Sequence, residues 1–147
     1  MRELPRQLSV EELAELFEGR TRLVELLAGR EHPLEAAPEV LPELSAADKL
    51  EALDAHPAIG ARAGLSERSA AEQGADPDPV ILTELAYLNQ VYEEKFGFRF
   101  VVFVNGRQKL EILEVLRGRL ERTREEELET ALGELVAIAR DRWEKRR

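Results

Sequence analysis

Lys95-Phe-Gly-Phe-Arg-Phe-Val-Val-Phe-Val104, followed by Asn105-Gly106, is the stretch of this 147-residue chain that decides the fold. Its aromatic and β-branched residues, and the turn dipeptide after them, are typical of a buried strand. It is the only convincing strand-like run in the sequence, and one strand cannot form a sheet. The pattern therefore predicts an extended apolar segment near residues 98–104. We expect it to be buried among helices, with its backbone groups bonded to partners outside a sheet.

Helical periodicity dominates the rest of the chain. Ser9, Thr21 and Ser45 each precede an apolar repeat, so they are expected to cap three helices, and Pro57 should end the third. A fourth helix should begin at Asp78-Pro79. The remaining expected elements are a short helix near 66–74, helices over about 108–121 and 124–145, and an irregular, proline-rich connection over 30–44. The whole chain, 1–147, is thus predicted to be all-α: a compact, single-domain helical bundle.

The composition limits the partners that we expect. The formal net charge is −9, from 21 basic and 30 acidic residues, which argues against nucleic acid or an anionic membrane. The chain has no cysteine, which excludes disulfides and zinc–thiolate sites, and its two histidines cannot build a histidine-rich metal site. No metal is therefore predicted. The first residues lack the apolar core of a signal peptide, and no run is long enough to span a membrane, so a soluble cytoplasmic protein is expected.

His56 lies in the sequence Asp54-Ala-His-Pro-Ala-Ile-Gly60. The proline after it disfavours helical geometry at the histidine, so the imidazole should be held at the C-terminal edge of an apolar helix. An imidazole, whose ordinary pKa is about 6.5, suits proton transfer at neutral pH. The alternative is a histidine that only caps the carbonyls at the helix end.

Ser69-Ala70-Ala71-Glu72-Gln73 also carries two interpretations. A capping box explains the serine and the glutamate without any function. The second interpretation is a ligand-binding site at a helix start. Backbone N–H groups, a hydroxyl, a carboxylate and an amide together suit a heterocycle that bears urea-like groups.

Arg142 continues the apolar stripe of the last helix, which runs through Leu128, Leu132, Leu135 and Ala139. An arginine on an inward face needs an anionic partner, although it can also extend outward to solvent. Arg119 is a weaker candidate for the same role, and Asn89 is expected to be a buried polar anchor. The acidic run Glu125-Glu-Glu127 is expected to be a solvated helix face.

Together, His56-Pro-Ala-Ile-Gly60, the stretch from Ser69 to Ala75, Leu88-Asn89 with Tyr92, Lys95-Phe-Gly-Phe98 and Phe100-Val-Val resemble the OHCU decarboxylases. These enzymes act on 2-oxo-4-hydroxy-4-carboxy-5-ureidoimidazoline (OHCU) in urate degradation. The resemblance runs from about residue 9 to the C-terminus. It implies an all-α homodimeric carboxy-lyase without a cofactor, which converts this small molecule to (S)-allantoin.

The resemblance also implies a set of site residues. His56 would transfer the proton, with Glu72 and Arg142 as further catalytic residues. The residues that would line the substrate pocket are Pro57, Ser69, Ala70, Ala71, Glu72, Gln73 and the backbone of Phe100, Val101, Val102, Phe103 and Val104.

Two positions depart from the family pattern. Family members often carry Ser-Pro-Trp after the Phe-Glu pair that corresponds to Phe17-Glu18, and an asparagine where this chain has Arg122. Two other functions stay open at this point: a lyase acting on a related ureido acid, and a non-catalytic helical module that binds a ligand.

Overall fold

The computed structural model describes residues 7–57 and 78–145. Within these ranges there are seven α-helices and no β-strand, which confirms the all-α class. The helices are α1 (Val10–Phe17), α2 (Arg22–Leu27), α3 (Pro33–Val40), α4 (Ala46–Asp54), α5 (Pro79–Phe96), α6 (Lys109–Arg119) and α7 (Arg124–Glu144). A 3-10 turn, Leu41–Glu43, follows α3.

The chain divides into two compact units. The first contains Met1–His56 together with Leu132–Arg147, and the second contains Pro57–Ala131. Helix α7 begins in the second unit and ends in the first.

The first unit is built on helices whose starts the sequence predicts. The hydroxyls of Ser9, Thr21 and Ser45 accept the N–H groups of the residues three positions later, as expected for N-caps. Helix α2 packs against α1, α3 and α4. The fully buried side chains of this unit include Leu13, Leu16, Phe17, Leu23, Leu27 and Leu53.

The prediction of an irregular connection over residues 30–44 is wrong, because this region contains helix α3. Pro33 occupies the first helical turn, where a missing N–H costs nothing. Pro38 removes only one hydrogen bond inside the helix. Burial of Leu34, Ala37 and Val40, which share one face of α3, favours the helix.

Helix α5 opens the described part of the second unit. The Asp78 carboxylate accepts the N–H of Val80 at 2.9 Å, and Pro79 follows at the first helical position. Leu85, Asn89 and Tyr92 are buried on one face, so Asn89 is the buried polar side chain that we expected. Its amide donates to the Leu85 carbonyl oxygen at 2.9 Å. Helix α5 packs on α6.

The predicted extended segment is confirmed between two backbone reversals. Gly97 ends α5 with φ 82°, and Asn105-Gly106 turn the chain with φ 50° and 77°. Positive φ is accessible to glycine at no cost and to asparagine at little cost. The residues between form neither helix nor strand, and the buried ones are Phe98, Phe100, Val101, Val102 and Val104. Tyr92 contacts both Phe98 and Phe100 edge-on, at ring distances of 5.9 and 5.2 Å.

Helix α7 begins with a reciprocal cap. The Thr123 hydroxyl accepts the N–H of Glu126 at 3.1 Å, and the Glu126 carboxylate accepts the N–H of Thr123 at 3.0 Å. Hydrogen bonding to the carboxyl from the Thr123 backbone N–H, and then from the Thr123 side chain, holds the pKa of the Glu126 carboxyl below its ordinary value. Neither α7 nor any other helix in the described ranges has the length and apolar character that crossing a bilayer requires.

Candidate functional site

His56 is buried at the end of α4, as the sequence predicts. Its backbone N–H donates to the Leu53 carbonyl oxygen at 3.2 Å, and only 5% of the residue is exposed. Pro57, the next residue, is half-buried. The helix end and the proline together restrict the backbone at His56, which suits a group that must approach a reacting atom from a defined position.

Arg142 faces inward, which confirms the prediction from the stripe of α7. The residue is 2% exposed, and its Nη1 donates to the Leu16 carbonyl oxygen at 3.1 Å. Its Nη2 lies 3.0 Å from the Glu18 carboxylate, which is 12% exposed. Glu18 is therefore an anionic partner of this guanidinium, and the sequence analysis did not identify it.

Glu18 also lies close to the residues around His56. It ends α1 in the left-handed conformation, with φ 69°, and Gly19 follows it. A Cβ placed on Gly19 would lie 3.5 Å from the Cβ of Ala55, the residue before His56. The turn that binds Arg142 thus packs beside the end of α4, so the structure places His56 and Arg142 in one region of the first unit.

The extended segment has its carbonyl groups bound by arginines. Arg119 Nη1 donates to the Val101 carbonyl oxygen at 2.8 Å. Arg107 donates to the carbonyl oxygens of Phe103, at 2.6 Å, and Val104, at 3.2 Å. These contacts supply the partners outside a sheet that the lone strand-like run requires.

A buried carboxylate holds Arg119 in place. Glu127 is fully buried, and its Oε1 accepts from Arg119 Nε and from the Tyr92 hydroxyl, both at 2.7 Å. Its Oε2 accepts from Arg122 Nη1 at 2.8 Å. The expectation that the whole run 125–127 is solvated is therefore wrong for Glu127. A buried carboxylate is stable here because it is paired and hydrogen-bonded at both oxygens.

The same environment shifts the pKa of Tyr92. Burial, and then the hydrogen bond to Glu127, raise the pKa of the Tyr92 hydroxyl well above the ordinary tyrosine range. The hydroxyl therefore stays protonated and donates to the carboxylate over the whole physiological pH range.

The remaining predicted residues, Ser69, Ala70, Ala71, Glu72 and Gln73, lie outside the described residues, as does the predicted helix near 66–74. Residues 7–57 and 78–145 contain no group of three or more acidic, histidine or cysteine side chains placed to hold a metal ion. A recess of about 60 Å³ in the first unit is lined by Leu8, His32, Trp143 and their neighbours. None of the predicted site residues that the structure describes lines it.

Comparison with known proteins identifies a family. The family model described as OHCU decarboxylase matches residues 2–144. A 2-oxo-4-hydroxy-4-carboxy-5-ureidoimidazoline decarboxylase from Halalkalicoccus jeotgali is 33% identical over 115 residues, which are 76% of this chain and 65% of that protein. The uric acid degradation bifunctional protein TTL from Arabidopsis thaliana is 37% identical over 114 residues, which are 70% of this chain and 35% of that protein. The chain thus spans less than two thirds of the length of either relative.

A solved structure shares the fold. A crystal structure described as OHCU decarboxylase in the presence of (S)-allantoin superposes with a TM-score of 0.74 and 28% sequence identity. The match covers 89% of this chain and 94% of that chain. The described helices therefore adopt the fold of that decarboxylase.

Substitution of Glu18 by glycine has two opposite effects on the free energy of unfolding. Glycine relieves the left-handed backbone, which costs a non-glycine residue about 1–2 kcal/mol. It also removes the carboxylate beside the buried Arg142 guanidinium, and breaking such a pair costs about 3–5 kcal/mol. We expect Glu18→Gly to lower the free energy of unfolding by about 2 kcal/mol in urea titrations followed by circular dichroism.

Asn105→Gly is the matched control, because Asn105 also has positive φ but is exposed and uncharged. We expect it to change the free energy of unfolding by less than about 1 kcal/mol. Equal stability of Glu18→Gly and the native chain would contradict the role of Glu18 as the partner of Arg142.

The raised pKa of Tyr92 predicts a specific alkaline instability. The unfolded chain ionises this tyrosine near pH 10, whereas the folded chain does so only at higher pH. The stabilisation is therefore complete below about pH 10 and is lost as the pH rises further. Tyr92→Phe should remove this dependence, which amounts to at most about 1.4 kcal/mol per pH unit. Urea unfolding at pH 9 to 11 measures this dependence of the free energy of unfolding on pH.

Tyr87→Phe, at an exposed position, is the control and should keep the native dependence on pH. A native dependence in Tyr92→Phe would refute the assignment.

Proposed function

We propose, from the premise that this chain belongs to the OHCU decarboxylase family, that it is a carboxy-lyase converting 2-oxo-4-hydroxy-4-carboxy-5-ureidoimidazoline to (S)-allantoin. The observation that carries the proposal is the buried His56, held at the end of α4 beside the turn that binds Arg142. This arrangement offers a proton-transfer group in a fixed position, which is the group that the reaction needs.

The substrate itself supplies the electron sink in the proposed reaction. Loss of CO₂ breaks the bond between the carboxylate carbon and the hydroxyl-bearing ring carbon, and leaves the electron pair on that ring carbon. The adjacent C=N and carbonyl groups delocalise the pair, so we propose that no cofactor takes part. The protein then has three tasks: to hold the carboxylate out of the ring plane, to stabilise the developing charge, and to deliver the proton to one face.

We assign these tasks to the residues that the sequence singles out. His56 takes the hydroxyl proton, so that the hydroxyl-bearing carbon becomes the carbonyl of the product, or delivers a proton to the neighbouring ring carbon, which bears the ureido group and becomes the stereocentre of (S)-allantoin. Glu72 and Gln73, with Ser69, Ala70, Ala71 and Pro57, bind the ureido group and the ring edge. The backbone of Phe100, Val101, Val102, Phe103 and Val104 provides further hydrogen bonds to the ring.

Arg142 is the third predicted catalytic residue, and its role is to orient the surroundings of His56 or to pair with Glu72 or with the substrate carboxylate. Its guanidinium already contacts Glu18 and the Leu16 carbonyl oxygen in the structure. A guanidinium fixed in this way keeps one orientation, and its pairing with the Glu18 carboxylate holds the turn that packs against Ala55, the residue before His56.

We further propose that the chain works as a single domain over 1–147, as a homodimer, and in the cytoplasm. The family resemblance supports the dimer. The net charge of −9 supports a small-molecule partner rather than nucleic acid or a membrane surface.

The test supplies OHCU freshly made by urate oxidase and hydroxyisourate hydrolase, and follows circular dichroism as the product forms. The native chain should accelerate the appearance of one enantiomer, (S)-allantoin. His56→Ala and His56→Asn should lower kcat at least about 100-fold, since positioned proton transfer contributes about 10²–10⁴. Their far-UV spectra should keep the native helical signal. His32→Ala, which replaces the other histidine at an exposed position, should keep native activity.

Each alternative function gives a different result in this test. Full activity of both His56 variants would overturn the role of His56. Without turnover by the native chain, a thermal shift on adding (S)-allantoin would indicate a non-catalytic binding module. Turnover of another ureido acid, but not of OHCU, would indicate a lyase with a changed substrate.

A further inference from the structure

Arg119 links the extended segment to the buried carboxylate of the second unit. Its Nε donates to Glu127 at 2.7 Å, and its Nη1 donates to the Val101 carbonyl oxygen at 2.8 Å. Its guanidinium carbon lies 4.7 Å from the centre of the Phe100 ring, within the range of a cation–π contact. Arg119, a residue that is 6% exposed, thus contacts two consecutive residues of the segment and also the Glu127 carboxylate that neutralises its charge.

The contact from Arg119 to the Val101 carbonyl also fixes the direction of the Val102 N–H. A peptide unit is planar, and in the trans form its C=O and N–H point in opposite directions. The described residues contain no cis peptide bond. The direction of the Val101 carbonyl therefore determines the direction of the Val102 N–H, which belongs to the same peptide plane. A guanidinium that binds this carbonyl acts as an orienting device for a backbone donor.

The guanidinium is itself held from several sides. Glu127 is fixed by the Tyr92 hydroxyl and by Arg122, so the Nε contact of Arg119 has a rigid acceptor. Because the guanidinium is planar, fixing Nε and placing the ring of Phe100 near its carbon also fixes the line along which Nη1 donates. A lysine at this position has a single ammonium group and no planar fork, so it cannot hold both acceptors in this geometry.

We infer that Arg119 is a positioning residue for the decarboxylation: through the Val101 carbonyl and the Phe100 ring, it orients the backbone N–H of Val102 toward the substrate. This inference rests on the proposed function for its substrate. Arg119 itself does not contact the reacting atoms; it acts through the peptide plane between Val101 and Val102. Its effect therefore falls on the binding of the ring edge and not on the proton transfer by His56.

Arg119→Lys tests the inference, with Arg122→Lys as the matched control. Both arginines bind Glu127, but Arg122 donates otherwise to Thr130 and is partly exposed. Both variants keep the positive charge beside the buried carboxylate. If Arg119 only supported the fold, the Arg119 and Arg122 variants would differ in stability alone.

The first measurement is amide hydrogen exchange of the ligand-free protein. Residues 100–104 should exchange roughly tenfold faster in Arg119→Lys than in the native chain, because the bond to the Val101 carbonyl is lost. They should exchange at the native rate in Arg122→Lys, because the lysine keeps a positive charge beside Glu127. Unchanged exchange in Arg119→Lys would overturn the inference.

The second measurement separates KM from kcat in the decarboxylation. Arg119→Lys should raise KM for OHCU roughly tenfold, with kcat within about threefold of the native value, because a ground-state contact is lost. Arg122→Lys should keep the native KM. Faster amide exchange in Arg119→Lys together with a native KM would overturn the inference, because Arg119 would then support only the structure of the segment. Absence of turnover by the native chain would contradict the proposed function, and the exchange rates would still decide whether Arg119 holds the segment.

Discussion

The buried Glu127 carboxylate is the constraint on which the second unit depends. A carboxylate that is fully removed from water is stable only when opposite charge and hydrogen bonds compensate for its lost hydration. Arg119, Arg122 and Tyr92 provide that compensation from α6, from the α6–α7 connection and from α5. Because Arg119 also binds Val101, the same charge that ties these helices together holds the extended segment in its position.

Much of the fold follows from local sequence patterns. The caps at Ser9, Thr21 and Ser45 were predictable because a cap is a hydrogen bond between residues three positions apart. The extended segment was predictable because a single strand-like run has no partner strand. The helix over 33–40 was not predicted, because prolines usually mark breaks. Here Pro33 occupies the one helical turn that tolerates it, and the buried face of α3 outweighs the hydrogen bond lost at Pro38.

The charged part of the candidate site was less predictable, because its pairs join residues far apart in the chain. The inward face of α7 identified Arg142. No pattern in the sequence near Arg142 shows that its partner is Glu18, because Glu18 lies near the other end of the chain. Glu127 resembled its exposed neighbours within an acidic run. One signal was present: Glu127 lies one helical turn before Ala131 and two before Leu135, both of which are fully buried. A stripe traced through these residues, and not through the half-buried Leu128, places the carboxylate inside.

The free energy of unfolding of Glu127→Gln tests this central constraint most directly, with Glu125→Gln as the comparison on the same helix. Glutamine keeps the size of the side chain and removes the charge, which leaves the buried Arg119 guanidinium uncompensated. Urea titrations should show Glu127→Gln to be less stable than the native chain by about 3–5 kcal/mol, whereas Glu125→Gln, at an exposed position, should match the native chain. Equal stability of the two variants would contradict the account.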